Sequence, residues 1–244
     1  MQKLSVILMA ISLVSCQYSA EEAQKVVDKA IEAHGQNILG KVKISFDFRD
    51  MHYSAYRKAD SFVYTRMFVD SLELIEDILV NSSQFTRMIN GDTIDVVDSM
   101  KTKYSNSVNS VLYFVQLPYL LNDPAVIKSY EGTKRIDNTD YDVIKVQFKA
   151  SDGGEDFTDE YRYWFNKNTY LLDYLAYNYE TNGGGVRFRE AYNRSERMGM
   201  TFQDYINYEV PVGTPLEQIP ALFEKGQLIE LSRIINEDIK VTKR

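Results

Sequence analysis

Short runs in which apolar and polar residues alternate with period two recur along most of this chain, and they restrict it to antiparallel β-sheet. In Lys41 to Arg49 the residues Val42, Ile44, Phe46 and Phe48 alternate with Lys, Ser and Asp, the pattern of a strand with one face in a core and one in water. Similar runs occur at Phe62 to Val69, Ile78 to Asn81, Phe85 to Ile89, Ile94 to Val97, Tyr141 to Phe148, Tyr161 to Phe165, Leu171 to Tyr179, Val186 to Tyr192, Phe202 to Tyr208 and Leu228 to Val241. Turn signals separate them: Asn90-Gly91-Asp92, Asp137-Asn138, Asp152-Gly153-Gly154, Asn166-Lys167-Asn168 and Asn182-Gly183-Gly184-Gly185. This spacing predicts a meander of hairpins and excludes βαβ units. No repeat of solenoid period and no linker divides the chain. The expected fold is α+β, a single curved antiparallel sheet.

A single sheet must bury one face against something, and the helical segments are few. Ser19 and Glu22 have capping-box spacing, and Ala23, Val26, Val27, Ala30 and Ile31 form one apolar stripe ending at His34 and Gly35. His34 there is explained as a cation-capable side chain at a helix C-terminus. Val108, Val111, Leu112 and Val115 have helical spacing, with Ser105 or Ser107 as caps and Pro118 as the stop. Thr214, Pro215 and Glu217 open a late helical segment that Pro220 is expected to split into two short turns ending near Gly226. These short helices are expected to act as lids on a concave sheet face.

The composition removes several functions. There are 28 Lys plus Arg against 35 Asp plus Glu, a net charge of −7, and no basic run, so nucleic acid is not an expected partner. With 1 Cys and 2 His, an internal disulfide and a Cys/His zinc site are excluded, and a serine or cysteine triad is not expected. No metal and no cofactor are expected. The single Cys has a specific context. Lys3 is a short basic segment, and Leu4 to Val14, with Val6, Ile7, Leu8, Ile11 and Leu13, is an apolar run shorter than the roughly 20 residues a bilayer requires. It ends in Leu13-Val14-Ser15-Cys16, which resembles a bacterial lipobox. That resemblance implies a signal peptide over residues 1–15 and a single domain, 16–244, anchored to the membrane by acyl chains on Cys16. Two or more chains anchor stably where one does not. Gln17 in place of Asp implies the outer membrane.

The segments Ser45-Phe46-Asp47-Phe48-Arg49, Val108 to Tyr119, Leu121 to Val126, Asp173-Tyr174-Leu175-Ala176-Tyr177 and Gly185 to Tyr192 resemble an uncharacterised family of secreted proteins and lipoproteins found in marine flavobacteria and their relatives. More distantly, the architecture is similar to the periplasmic lipoprotein-carrier (LolA-like) superfamily. That similarity implies an N-terminal helix, an unclosed half-barrel with helical lids, and an apolar cavity for acyl chains of lipids or lipoproteins. On this reading Val111, Leu112, Val115 and Leu121 face a ligand from the helical segment and Phe46 and Phe48 face it from the sheet. Tyr174 belongs to an amphipathic wall, and Arg187 and Arg189 either pair with neighbouring carboxylates or receive an anionic headgroup. The expected protein is a non-catalytic, monomeric envelope lipoprotein.

Two other functions stay open. Tyr161, Tyr163, Trp164, Tyr170, Tyr174, Tyr177, Tyr179 and Tyr192 fall in neighbouring strands, which suits a core but also a glycan-stacking or structural surface. Asp152, Glu155, Asp156, Asp159 and Glu160 gather carboxylates around one turn. That cluster suits a solvated hairpin tip, but also calcium or hydrolytic chemistry. The triple glycine Gly183-Gly184-Gly185 lacks the Lys-Ser/Thr of a phosphate loop and is expected to be a hairpin turn.

Overall fold

The computed structural model describes residues 2–58, 61–81, 83–149, 158–180 and 183–243. The helix α1 (Gln2–Ala33) comes first, then a 3-10 turn (Gln36–Lys41) and six strands: β1 (Val42–Phe48), β2 (Met51–Lys58), β3 (Ser61–Asp70), β4 (Glu73–Val80), β5 (Gln84–Ile89) and β6 (Asp92–Ile94). The helix α2 (Asp98–Val115) leads to β7 (Val126–Ile136), β8 (Thr139–Phe148), β9 (Tyr161–Asn166), β10 (Leu172–Tyr179), β11 (Gly185–Arg197) and β12 (Met200–Val210). A 3-10 turn (Leu216–Gln218), α3 (Ile219–Glu224), β13 (Ile229–Ile234) and β14 (Glu237–Lys243) complete the chain. No helix among the described residues is long and apolar enough to cross a membrane.

The expected α+β, unclosed antiparallel architecture is present, but the strands form two ladders where one curved sheet was expected. Their orders are β14-β1-β2-β3-β4-β5-β6 and β13-β12-β11-β10-β9-β8-β7. The division has a local cause. β6 is only three residues long, the chain then leaves for α2, and β7 opens a new ladder. The residues group into two compact units. One, the first-sheet unit, holds His34–Leu120, Asn193–Asp204 and Ile234–Arg244; the other, the second-sheet unit, holds Met1–Ala33, Leu121–Tyr192 and Tyr205–Arg233.

In the first-sheet unit, period-two alternation places Val42, Ile44 and Phe46 on one buried face. Ile44 lies opposite Ala55 and Phe46 opposite Tyr53, and the Phe46 and Tyr53 rings stack at 5.6 Å. The row continues through Tyr64, opposite Ala55, and Leu79, opposite Tyr64. α2 covers this face with Val108 and Leu112, both fully buried. It begins at Asp98, earlier than the sequence suggests, and Ser107 lies inside it rather than at its cap.

In the second-sheet unit, Ile136, Tyr141, Val143, Trp164, Tyr174 and Phe188 form an aromatic core closed by Leu216, Ile219 and Phe223 of the late 3-10 turn and α3. The predicted apolar stripe of α1 is buried from Ala23 to Ile31. Ser19 does not cap a helix. Its hydroxyl instead exchanges hydrogen bonds of 3.0 Å with the carbonyl and amide of Tyr130 on β7.

Candidate ligand-binding site

The buried face of the first sheet is mainly apolar, and one row across it carries a buried cluster of opposite charges. Tyr53, Arg66, Asp77 and Arg87 lie opposite one another on β2, β3, β4 and β5. Each occupies an inward position of its strand's alternation, Arg66 between Tyr64 and Phe68, Asp77 between Ile75 and Leu79, Arg87 between Phe85 and Ile89. That is the signal the sequence reading missed, since a charge at an inward position must be paired. Asp77 is fully buried and takes Arg66 Nε and Nη2 on Oδ2 at 3.1 and 2.6 Å, and Arg87 Nε on Oδ1 at 2.7 Å. Two cations thus share one buried anion. α2 completes the row: Arg66 Nη1 donates to Ser107 Oγ at 2.7 Å, and the Arg87 guanidinium sits 3.5 Å from the centre of the Tyr104 ring. Burial raises the Tyr53 hydroxyl pKa against the opposing effect of Arg66. The hydrogen bond to Asp77 raises that of Arg87 despite its own burial.

The same apolar cluster reaches solvent at the start of β1. There Ile38, Lys41, Val42, Met198 and Lys243 line an open recess of about 510 Å³. Val42 and Ile38 belong to the cluster that contains Phe46 and Leu112, so the recess is its exposed end. Lys41 ends the 3-10 turn and Lys243 is paired with Val42 across β1 and β14, which puts two lysines among the residues that line the opening. Met198 is placed by the tight turn between β11 and β12, with φ of 53° at Met198 and 76° at Gly199.

The expected ligand-facing residues divide between the units. Phe46, Phe48, Val111, Leu112 and Val115 meet in the first-sheet cluster. Leu121 is buried in the second-sheet unit, where its carbonyl accepts from Lys128 Nζ at 2.7 Å; burial lowers the pKa of that ammonium. Tyr174 is part of the aromatic core, stacked on Phe188 at 5.5 Å. Arg187 lies 5.3 Å from the Tyr179 ring centre, and Arg189 donates to the Tyr177 hydroxyl at 2.8 Å.

The second-sheet unit has an acidic cavity of about 540 Å³ whose lining includes Glu160, Asn178, Glu180 and Glu217. Arg162 anchors it, donating to Glu131 at 2.7 and 3.0 Å and to Glu160, and lying 3.6 Å from Glu217. Burial pushes the Glu160 carboxyl up, but Lys145 and Arg162 outweigh it and hold the pKa below the usual value. A carboxyl so held stays ionised and is unsuited to act as a general acid. The turn carboxylates Asp152, Glu155 and Asp156 lie outside the described residues. Tyr161, Tyr163 and Tyr174 are buried and do not form an exposed stacking platform.

No curated protein matches this sequence. Among solved structures, the chain is similar to a LolA-superfamily protein from Nitrosomonas europaea, at 13% identity, TM-score 0.45 and 91% coverage of both chains. It is similar to a domain assigned to outer-membrane lipoprotein sorting from Vibrio parahaemolyticus, at 8% identity and TM-score 0.44, over 83% of this chain and 99% of that one. A DUF1329-family protein from Desulfovibrio piger matches at 11% identity and TM-score 0.39, over 85% and 99%. The sequence itself matches the family of unknown function DUF6503 over residues 2–236, and the chain belongs to that family.

Proposed function

We propose that this protein is an envelope lipoprotein, held to the membrane through Cys16, that binds the apolar chain of an anionic amphiphile in its first-sheet unit. The observation that carries this reading is the recess at Ile38, Val42 and Met198, apolar, open, continuous with the cluster beneath α2, and rimmed by Lys41 and Lys243. Its volume lies within the range of small-molecule sites. Burial is worth about 0.8 kcal/mol per CH₂, so a chain of about ten carbons gains roughly 8 kcal/mol before ordering costs. That suffices for useful affinity with no catalytic group. The two ammonium groups select an anionic head by charge.

Binding is tested with two probes on delipidated protein, a dansylated fatty acid and the neutral dye N-phenylnaphthylamine. Both are expected to bind at micromolar concentration. Lys41→Glu with Lys243→Glu is expected to weaken the anionic probe about tenfold, on the order of 1.4 kcal/mol, and to leave the neutral one unchanged. Met198→Trp, which fills the opening, is expected to weaken both. If neither probe binds at micromolar concentration, and Val111→Trp alters stability alone, the carrier reading is abandoned.

The anchor has its own test. Cys16→Ser is expected to release the protein from the membrane fraction and to end incorporation of radiolabelled fatty acid. Continued labelling of that variant would show that Cys16 is not the acylated residue.

A further inference from the structure

Among the described residues, four tight turns join strands through two residues that both have positive φ, a geometry that favours Gly, Asn or Asp. Three hold Asn90-Gly91, Asp137-Asn138 and Met198-Gly199, each with Gly or Asn at the second position. The fourth, between β3 and β4, holds Ser71 and Leu72, at φ 51° and 70°. Leucine in the left-handed region carries a steric cost that Gly or Asn would remove. Its side chain repays none of that cost by burial, being 96% exposed. Val69 and Leu74 face each other across the same hairpin and are 67% and 44% exposed. Turn chemistry and solvation both oppose this apolar knob, so its explanation lies outside the fold of a single copy.

The knob is acidic at its base. Asp70 and Glu73 form the last cross-strand pair, both exposed, and no Lys or Arg occurs from residue 67 to residue 80. Such a tip is repelled by an anionic bilayer surface, which attracts basic segments. It suits an apolar socket with a cationic rim. The recess at Lys41 and Lys243 is such a socket. It stands at the start of β1, whereas the β1–β2 and β3–β4 turns stand at the opposite end of the same ladder. β3 has 10 residues, so the strand length that keeps the tip from its own recess is on the order of 30 Å.

We infer that the hairpin tip of one copy docks in the recess of a second copy, Leu72 entering the apolar opening and Asp70 and Glu73 meeting Lys41 and Lys243. The contact joins unlike surfaces, so it propagates head to tail unless a ring closes. It shares the recess with the amphiphile but does not rest on that reading.

Sedimentation velocity of the delipidated protein carrying Cys16→Ser, at low salt over a concentration series, tests this. The sedimentation coefficient is expected to rise with concentration, and Leu72→Asp to abolish the rise. Charge reversal at the tip (Asp70→Lys with Glu73→Lys) or at the rim (Lys41→Glu with Lys243→Glu) is expected to weaken association at least tenfold. An equimolar mixture of the two reversed proteins is expected to associate again, because every tip then finds an opposite rim. A protein monomeric at all concentrations overturns the inference, as does association indifferent to Leu72→Asp or a mixture that stays dissociated. Leu72-dependent binding to vesicles of neutral or anionic phospholipid, without self-association, overturns it in favour of a lipid surface. Leu72→Asp leaves the recess intact, so fatty-acid probe binding by that variant reports on the amphiphile reading separately.

Discussion

Asp77→Ala is expected to cost about 3–5 kcal/mol of stability, the range for removing one partner of a buried ion pair. The side chain is fully buried and accepts from both Arg66 and Arg87. Its loss leaves two guanidinium groups in the sheet with no anion, each already at least nine-tenths buried. Neither can move to water without opening α2, because Ser107 and Tyr104 lie over them. Urea denaturation read by far-UV circular dichroism measures the loss. The control replaces all three charges together, Asp77→Leu with Arg66→Met and Arg87→Met. That variant is expected to lie within about 1–2 kcal/mol of the parent, since a buried ion cluster and a packed apolar one are often nearly equal in stability. A triple variant as unstable as Asp77→Ala would mean that the row is needed for packing and not for charge balance.

Gly35→Ala is expected to be the most damaging single methyl group in the first-sheet unit. Gly35 has φ 65°, and a Cβ there would lie 1.8 Å from the Gly199 carbonyl oxygen and 2.8 Å from its carbonyl carbon. Both are backbone atoms, so no side chain can turn aside. The two segments are tied beside the contact by the Thr201 amide, which donates to the His34 carbonyl at 2.9 Å. Strain in the left-handed region adds roughly 1 kcal/mol to an overpacking cost of about 1–3 kcal/mol or more. Gly91→Ala is the comparison. Its φ is also positive, at 94°, but a Cβ there meets nothing within 4 Å, so only the conformational cost of about 1 kcal/mol is expected. Thermal melts of the two variants separate strain from collision. Equal losses would show that the Gly35–Gly199 approach relaxes freely.

Most of the strands could be read from residues 41–208 because one face of each ladder is in a core, which enforces the period of two. The two short late turns also follow from Thr214 to Gly226, a 3-10 turn and α3, and the division falls just before Pro220, which sits in the first turn of α3. Two strands carried no clear signal. β2 mixes Tyr53, Ala55 and Arg57 on its inner face with His52, Ser54 and Tyr56 on the other, where Ser54 is also buried, so polarity does not alternate. β7 is the last strand of its ladder and slips register between Tyr130 and Thr133 around Gly132. The run from Leu228 to Val241 reads as one strand. It is two, in different ladders, because Asn236 turns the chain, its amide donating to Asp204 at 2.9 Å. The site was legible only in part. Apolar spacing points to Phe46, Val111 and Leu112 as neighbours, and the structure joins them in one cluster. The recess could not be read because it assembles Ile38, Met198 and Lys243 from three distant segments, each with an unremarkable local pattern. Tyr174 and Arg187, although on strands correctly placed by the sequence, belong to the other unit.

Among the described strands each pairs with a neighbour in sequence except β14. It lies on β1, where Lys43 is opposite Thr242, 199 residues further on. A ribosome delivers β1 well before β14. During that interval one border of the nascent first ladder offers its unpaired amides and carbonyls to any passing strand, the geometry from which edge-to-edge aggregation starts. Sequential hairpins close fast, whereas this junction must wait until β14 has been made. The time during which this border is exposed is therefore set by how long the residues between β1 and β14 take to be made, and deleting β14 would make that exposure permanent.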